Sequence, residues 1–163
     1  MIRLSRLADY AVVITSYMAA QPSRVFSAFE LAEGTGLPAP TVSKVLTALS
    51  RAKVAKSLRG VKGGYQLARP AQDITAAEIV SAVDGPIALT LCMEHDGACE
   101  VESLCPSRSG WRKVNDAIQH ALDSVTLAEM ASPFMAFGPA PRDAGATASR
   151  AAPAAADPLA LRD

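Results

Sequence analysis

Three cysteines, Cys92, Cys99 and Cys105, lie inside one stretch, LCMEHDGACEVESLCPSRSGW (residues 91–111), of a 163-residue chain that has no others. Their spacing is Cys-x6-Cys-x5-Cys, without the close CxxC pairs of a structural zinc knuckle. Three thiolates neither close a tetrahedral zinc site nor supply four ligands to an iron-sulfur cluster, so metal binding here requires a further donor. An odd count also leaves at least one thiol unpaired under any intrachain pairing, and the reducing cytoplasm, where we place the chain, disfavours stable bridges. Soft thiolates in a loop bracketed by glycine and proline suit iron-sulfur or zinc. Reversible thiol oxidation without metal is the competing chemistry, and inert, small apolar cysteines are the bland one.

The elements that must carry this loop begin with a charge division hidden by a net charge of zero. Residues 1–70 hold ten Lys/Arg against three Asp/Glu, a net +7, whereas residues 71–131 hold three against ten, a net −7. Such asymmetry points to an N-terminal surface for a polyanion. Helical periodicity runs through Leu7, Ala11, Ile14 and Met18, and predicts a helix over Ser5–Ala20 ended by Gln21-Pro22. Ser27-Ala28-Phe29-Glu30 has the form of a capping box opening a short second helix, which Gly34-Thr35-Gly36 interrupts. A third helix is expected from about Pro40 to Ala52. Val42, Val45, Leu46 and Leu49 share one side of it, and Pro40, Lys44, Thr47 and Arg51 the other, with Ser43 at the edge.

Two short helices around a glycine turn, the second presenting small polar and basic side chains, make a helix-turn-helix candidate for double-stranded DNA. VAKSLRGVKGGYQLARP then reads as a small hairpin whose tip, with Arg59 and Lys62, forms a basic wing. The glycines in GVKGG lack the GK[ST] ending of a phosphate loop, and hairpin geometry explains them. Thr75–Val83 is a further helix, stopped by Asp84-Gly85-Pro86. Beyond the cysteines, Trp111, Val114, Ile118, Ala121 and Val125 recur in steps of three and four, a heptad-like stripe that needs a partner and suggests a homodimer.

The expected fold is therefore mainly α with a small β-hairpin wing: a winged helix-turn-helix followed by a long C-terminal dimerisation helix. Its segments are a DNA-binding domain (1–83), a cysteine cluster-binding loop (84–108), a dimerisation helix with a short following segment (109–137), and a disordered Ala/Pro-rich tail (138–163). No run approaches a membrane span. No Ser/His/Asp arrangement, nucleophile elbow or nucleotide loop supports an enzyme, no small-molecule substrate is implied, and only His95 and His120 could serve acid-base chemistry. A metal-dependent enzyme and a structural zinc protein stand as readings from other classes.

RLSRLADYA at the start, RGVKGGYQLAR in the wing, EIVSAVDG, and the three cysteines ahead of WRKVNDAI jointly carry a resemblance. The chain resembles the IscR-type family of iron-sulfur winged-helix repressors, in particular the branch regulating the SUF cluster-assembly system, over nearly everything except the tail. The resemblance implies a dimer whose loop holds a 2Fe-2S or 4Fe-4S cluster through Cys92, Cys99 and Cys105, with occupancy controlling operator affinity. Some members add a histidine three residues past the third cysteine. Arg108 stands there in this chain, and a guanidinium that stays protonated is no ligand. Another pattern uses an Asp near the N-terminus, donated by the other subunit, and Asp9 matches it, with Glu94 and His95 as local alternatives. Asp9 is also an acid placed where a helix dipole favours one. Ser43 and Lys44 resemble base-reading positions and Arg59 a minor-groove arginine, while Arg51 fits a phosphate contact.

Overall fold

The computed structural model describes residues 3–61, 63–94, 98–100 and 104–137, with side chains described as far as residue 132. Lys62, His95 and the tail over 138–163 lie outside the described residues.

Helix α1 (Arg6–Ala19) starts one residue later than its periodicity suggests, because Ser5 is its cap: the Ser5 hydroxyl accepts the Ala8 amide at 3.1 Å. The same hydroxyl donates to the Asp84 carboxylate at 2.6 Å, tying the start of α1 to the end of a later helix. Helix α2 (Ala28–Thr35) opens with the expected box, in which Ser27 Oγ accepts the Glu30 amide and Glu30 accepts the Ser27 amide. It closes on Gly36 at φ +71°, a left-handed turn open to glycine. Helix α3 (Ala39–Arg51) carries proline in its first turn, where a missing amide costs least.

Past α3 the chain turns on Lys53, at φ +60°. The Val54 amide reaches the Leu49 carbonyl at 3.0 Å and the Lys53 amide reaches Ser50 at 3.2 Å, the paired bonds of a Schellman cap. The wing follows as β1 (Ala55–Leu58) and β2 (Gly64–Leu67), antiparallel, with Ser57 opposite Tyr65. Phe26 bridges to Tyr65 through two backbone hydrogen bonds of 2.9 and 2.7 Å, seating the wing against the body. A methyl at Gly64 would overlap the Phe26 carbonyl, so this close approach requires glycine.

A 3₁₀ turn (Ala71–Asp73) leads into α4 (Ala76–Asp84), which has its own capping box between Thr75 and Glu78. After it come the one-turn α5 (Leu91–Glu94), α6 (Arg108–Asp123) and α7 (Leu127–Phe137). Ile14, Met18, Phe26, Leu31, Leu46, Leu49, Ile74, Ile79 and Leu127 are the large side chains of one core. Each contributes roughly 1.5–3 kcal/mol by leaving water.

The expected dimerisation helix and following segment correspond to two helices with different roles. Helix α6 ends at Asp123, so Val125, the last member of the heptad-like stripe, lies beyond it. The Val125 carbonyl accepts the Ala76 amide at 2.9 Å and the Leu127 amide donates to Ile74 at 2.8 Å. Helix α7 then packs on α1 and on the 3₁₀ turn, with Leu127 and Ala131 fully buried. The fold is thus a winged helix-turn-helix whose last helix returns to its core, with α5 and α6 as an excursion between.

Candidate nucleic-acid interface and cysteine segment

Helix α3 divides as its sequence suggests. Val42, Val45, Leu46 and Leu49 are buried, and Ser43, Lys44, Thr47 and Arg51 are exposed. The Thr47 hydroxyl donates back to the Ser43 carbonyl at 2.9 Å, which leaves its methyl and oxygen on the open face. Arg59 is exposed at the end of β1, where the turn passes through Gly60 at φ +116°. Val61 beside it is fully exposed. A shallow depression of about 340 Å³ joins the helix to the wing, lined by Thr47, Ser50, Arg51, Ser57 and Tyr65.

Charge sharpens this surface. Of the N-terminal cations, Arg24 is engaged by Glu30 at 2.8 Å and Arg69 by Glu78 at 2.6 Å. Lys44, Arg51 and Arg59 have no ion pair among the described residues, so their charge faces outward. Glu30 titrates below the usual carboxylate range because the Ser27 amide, then its hydroxyl, and Arg24 favour its ionised form. Burial pushes Glu78 upward, but the Thr75 amide and Arg69 outweigh it and hold the group low. Both acids are structural caps, and neither intrudes on the exposed cations of α3.

The cysteine segment leaves this body through Asp84, held by Ser5, and Gly85 at φ +87°, a backbone setting that favours glycine. Cys92 sits on α5, Cys99 in the connecting loop, and Cys105 three residues before α6, where the Arg108 amide meets the Cys105 carbonyl at 3.3 Å. All three are free thiols and half-buried. In kind, these donors fit an iron-sulfur or zinc group: they are soft, unpaired and confined to one excursion of the chain. Among the described residues no three His, Cys, Asp or Glu side chains converge on one point, so the chain by itself does not draw Cys92, Cys99, Cys105 and Asp9 into a closed site. Asp9 is exposed in the first turn of α1, and Glu94 is exposed at the end of α5.

Two contacts that the sequence reading passed over fasten Cys92. Thr90 Oγ1 lies 3.2 Å from Cys92 Sγ, and Asn115 Oδ1 on α6 accepts the Leu89 amide at 3.1 Å. A hydroxyl residue two positions before a cysteine was the available signal for the first; nothing local announces the second. Helix α6 itself buries none of its residues. Trp111 and Val114 remain 43% and 44% exposed, and Leu91 and Leu104 nearby are exposed as well. No helix among the described residues is long and apolar enough to cross a membrane.

Comparison with known proteins agrees with this architecture. The Rrf2 family model, described as an iron-dependent transcriptional regulator, matches residues 4–133. The HTH-type transcriptional regulator IscR of Escherichia coli is 29% identical over 101 residues, covering 62% of this chain and 62% of that protein. Among solved structures, CymR (YrzC), the global cysteine regulator of B. subtilis, superposes with a TM-score of 0.63 at 28% identity, covering 82% of this chain and 98% of that one. IscR of T. potens gives a TM-score of 0.61 at 28% identity, covering 85% of this chain and 93% of that one.

Proposed function

From the chain's membership of the Rrf2 family of transcriptional regulators, as an IscR-type member, we propose that it is a DNA-binding repressor whose cysteine segment reports iron-sulfur status or oxidative stress. One observation carries the reading. The chain's only three thiols, all unpaired, occupy an excursion inserted directly between α4 and α6 of a winged-helix body with an outward basic face.

Ser43, Lys44 and Thr47 would meet base edges in the major groove, and Arg59 with Lys62 would enter the minor groove from the wing. Arg51 would contact phosphate, adding affinity and salt dependence without reading sequence. Cys92, Cys99 and Cys105 would hold a 2Fe-2S or 4Fe-4S cluster, with Asp9 of the second subunit as the fourth ligand. Bound there, such a cluster supplies a redox-active and oxidant-labile group. A carboxylate is a weaker match for iron-sulfur than a thiolate, which suits a site meant to be lost under stress.

The exposed Trp111 and Val114 on α6, with Val125 just beyond it, support a homodimer, which would present two α3 helices to paired half-sites. Ligation of the three thiols would fix the excursion against α4 and α6. Its release would shift the neighbouring helices and move the two wings relative to the half-sites. We place the protein in the cytoplasm, acting by binding rather than catalysis, with the SUF cluster-assembly genes as its targets.

A second reading rests on the three free thiols: a cluster-free regulator that responds through thiol oxidation. Strictly anaerobic purification followed by iron and acid-labile sulfide analysis separates the two. The proposal expects iron and sulfide in the wild type and their loss in Cys92→Ala, Cys99→Ala and Cys105→Ala. Colourless, iron-free protein supports the thiol reading, and zinc alone supports a structural metal.

A further inference from the structure

We infer that Thr90 and Asn115 are positioning residues for the Cys92 sulfur, and that they tie its geometry to α6. The inference rests on the cluster reading above and deepens it. Cys92 is presented by a four-residue helix with no buried residue, far too short to hold a side chain still by its own hydrogen bonds. Its placement must come from outside α5. Two contacts supply it, one to the backbone and one to the sulfur.

The backbone contact is the Leu89 amide donating to Asn115 Oδ1 at 3.1 Å, across twenty-six positions of sequence and in a half-buried setting. It fixes the entry to α5 at the middle of α6. The Thr90 carbonyl then accepts the Met93 amide at 2.9 Å, so the turn bearing Cys92 is closed on the residue just past this anchor. The sulfur contact is Thr90 Oγ1 to Cys92 Sγ at 3.2 Å. In the free thiol either atom can donate. A ligating sulfur carries no proton, so in the loaded protein the hydroxyl must be the donor.

A hydrogen bond to a ligand sulfur withdraws electron density from it and is one of the levers that sets cluster potential. Outer contacts that orient a ligand also govern how tightly the group is held. Asn115 adjoins Val114 on α6 and follows Trp111 by about one helical turn. Movement of Cys92 is thereby transmitted to the helix that bears the exposed apolar face, without passing through the rest of the loop.

The test uses full-length protein reconstituted anaerobically with iron and sulfide. Wild type, Thr90→Val, Thr90→Ser and Asn115→Leu are compared by visible absorbance and circular dichroism, by midpoint potential, and by the rate of bleaching in air. Thr90→Val is expected to load a cluster with a more negative potential and to bleach about tenfold faster, with Thr90→Ser returning both toward wild type. Asn115→Leu is expected to change the visible circular dichroism and to speed bleaching, with little shift in potential. Thermal melts of the cluster-free proteins check that each variant folds. A wild type that takes up no cluster overturns the cluster reading and this inference with it. A wild-type cluster whose potential, spectrum and lifetime are unchanged in both Thr90→Val and Asn115→Leu overturns the inference alone.

Discussion

The winged body and the excursion between α4 and α7 are built from the same chain by opposite means. In the body, twelve large side chains are fully buried among the described residues, three helices begin with reciprocal caps, and the wing is pinned to Phe26. In the excursion, no residue of α5 or α6 is fully buried, and large apolar groups such as Trp111 and Leu104 face outward. The body completes itself. Helix α6 half-buries Asn115, Ile118 and Leu122 but leaves Trp111 and Val114 exposed, so its outer face calls for a cover from outside this chain. On the proposed reading the body is the reading head, and the excursion is a sensor that a ligand and a second subunit would complete.

The largest effect that sharpens this contrast is expected at Leu127, the buried anchor by which α7 belongs to the body rather than to the excursion. Leu127→Ala should lower stability by roughly 2–5 kcal/mol in chemical denaturation. Trp111→Ala with Val114→Ala should shift the oligomeric state in analytical ultracentrifugation while changing the stability of a monomer by only about 0.5 kcal/mol each. An equal loss at both places would erase the distinction.

Smaller effects concern the caps. Ser27→Ala should cost about 1 kcal/mol, because the Glu30 amide loses its acceptor. Lys53→Gly should raise stability by on the order of 1 kcal/mol, since glycine takes the left-handed turn without the cost a Cβ carries there. The smallest effect is the pH dependence. The folded pKa values of Glu30, Glu78 and Glu129 lie below their ordinary value of 4.5, held there by the Ser27, Thr75 and Thr126 amides, the Ser27 and Thr126 hydroxyls, and Arg24 and Arg69, with burial opposing. The unfolded chain therefore binds more protons in acid. Stability from these caps is complete above about pH 4.5 and is lost as pH falls through the depressed values. Thermal melts between about pH 6 and pH 3 should show the wild type converging on Glu30→Gln as Glu30 protonates.

Much of the body was legible because local and global signals coincide in it. The α3 pattern gave both the buried and the presented side, and SAFE announced a cap that the structure contains. TAAE before α4 and TLAE before α7 carry the same signal, since Thr75 with Glu78 and Thr126 with Glu129 exchange the same bonds. Reading TLAE as a helix start would have separated α6 from α7. The heptad-like stripe instead ran on to Val125, because spacing alone cannot tell an apolar residue on a helix face from one in a turn. The cysteine segment was legible as chemistry and not as geometry. Thiol count and spacing name the donors, but their placement depends on contacts such as Leu89 with Asn115 that join residues distant in sequence.

The account stands or falls on whether the state of the excursion alters the reading head. The direct measurement is the affinity of anaerobically isolated protein for a duplex selected from a randomised library, before and after its iron is stripped, with Cys99→Ala alongside. A change of about tenfold or more, reproduced by Cys99→Ala without stripping, is the expected result. Identical affinity in all three states, with iron present at the start, would contradict it.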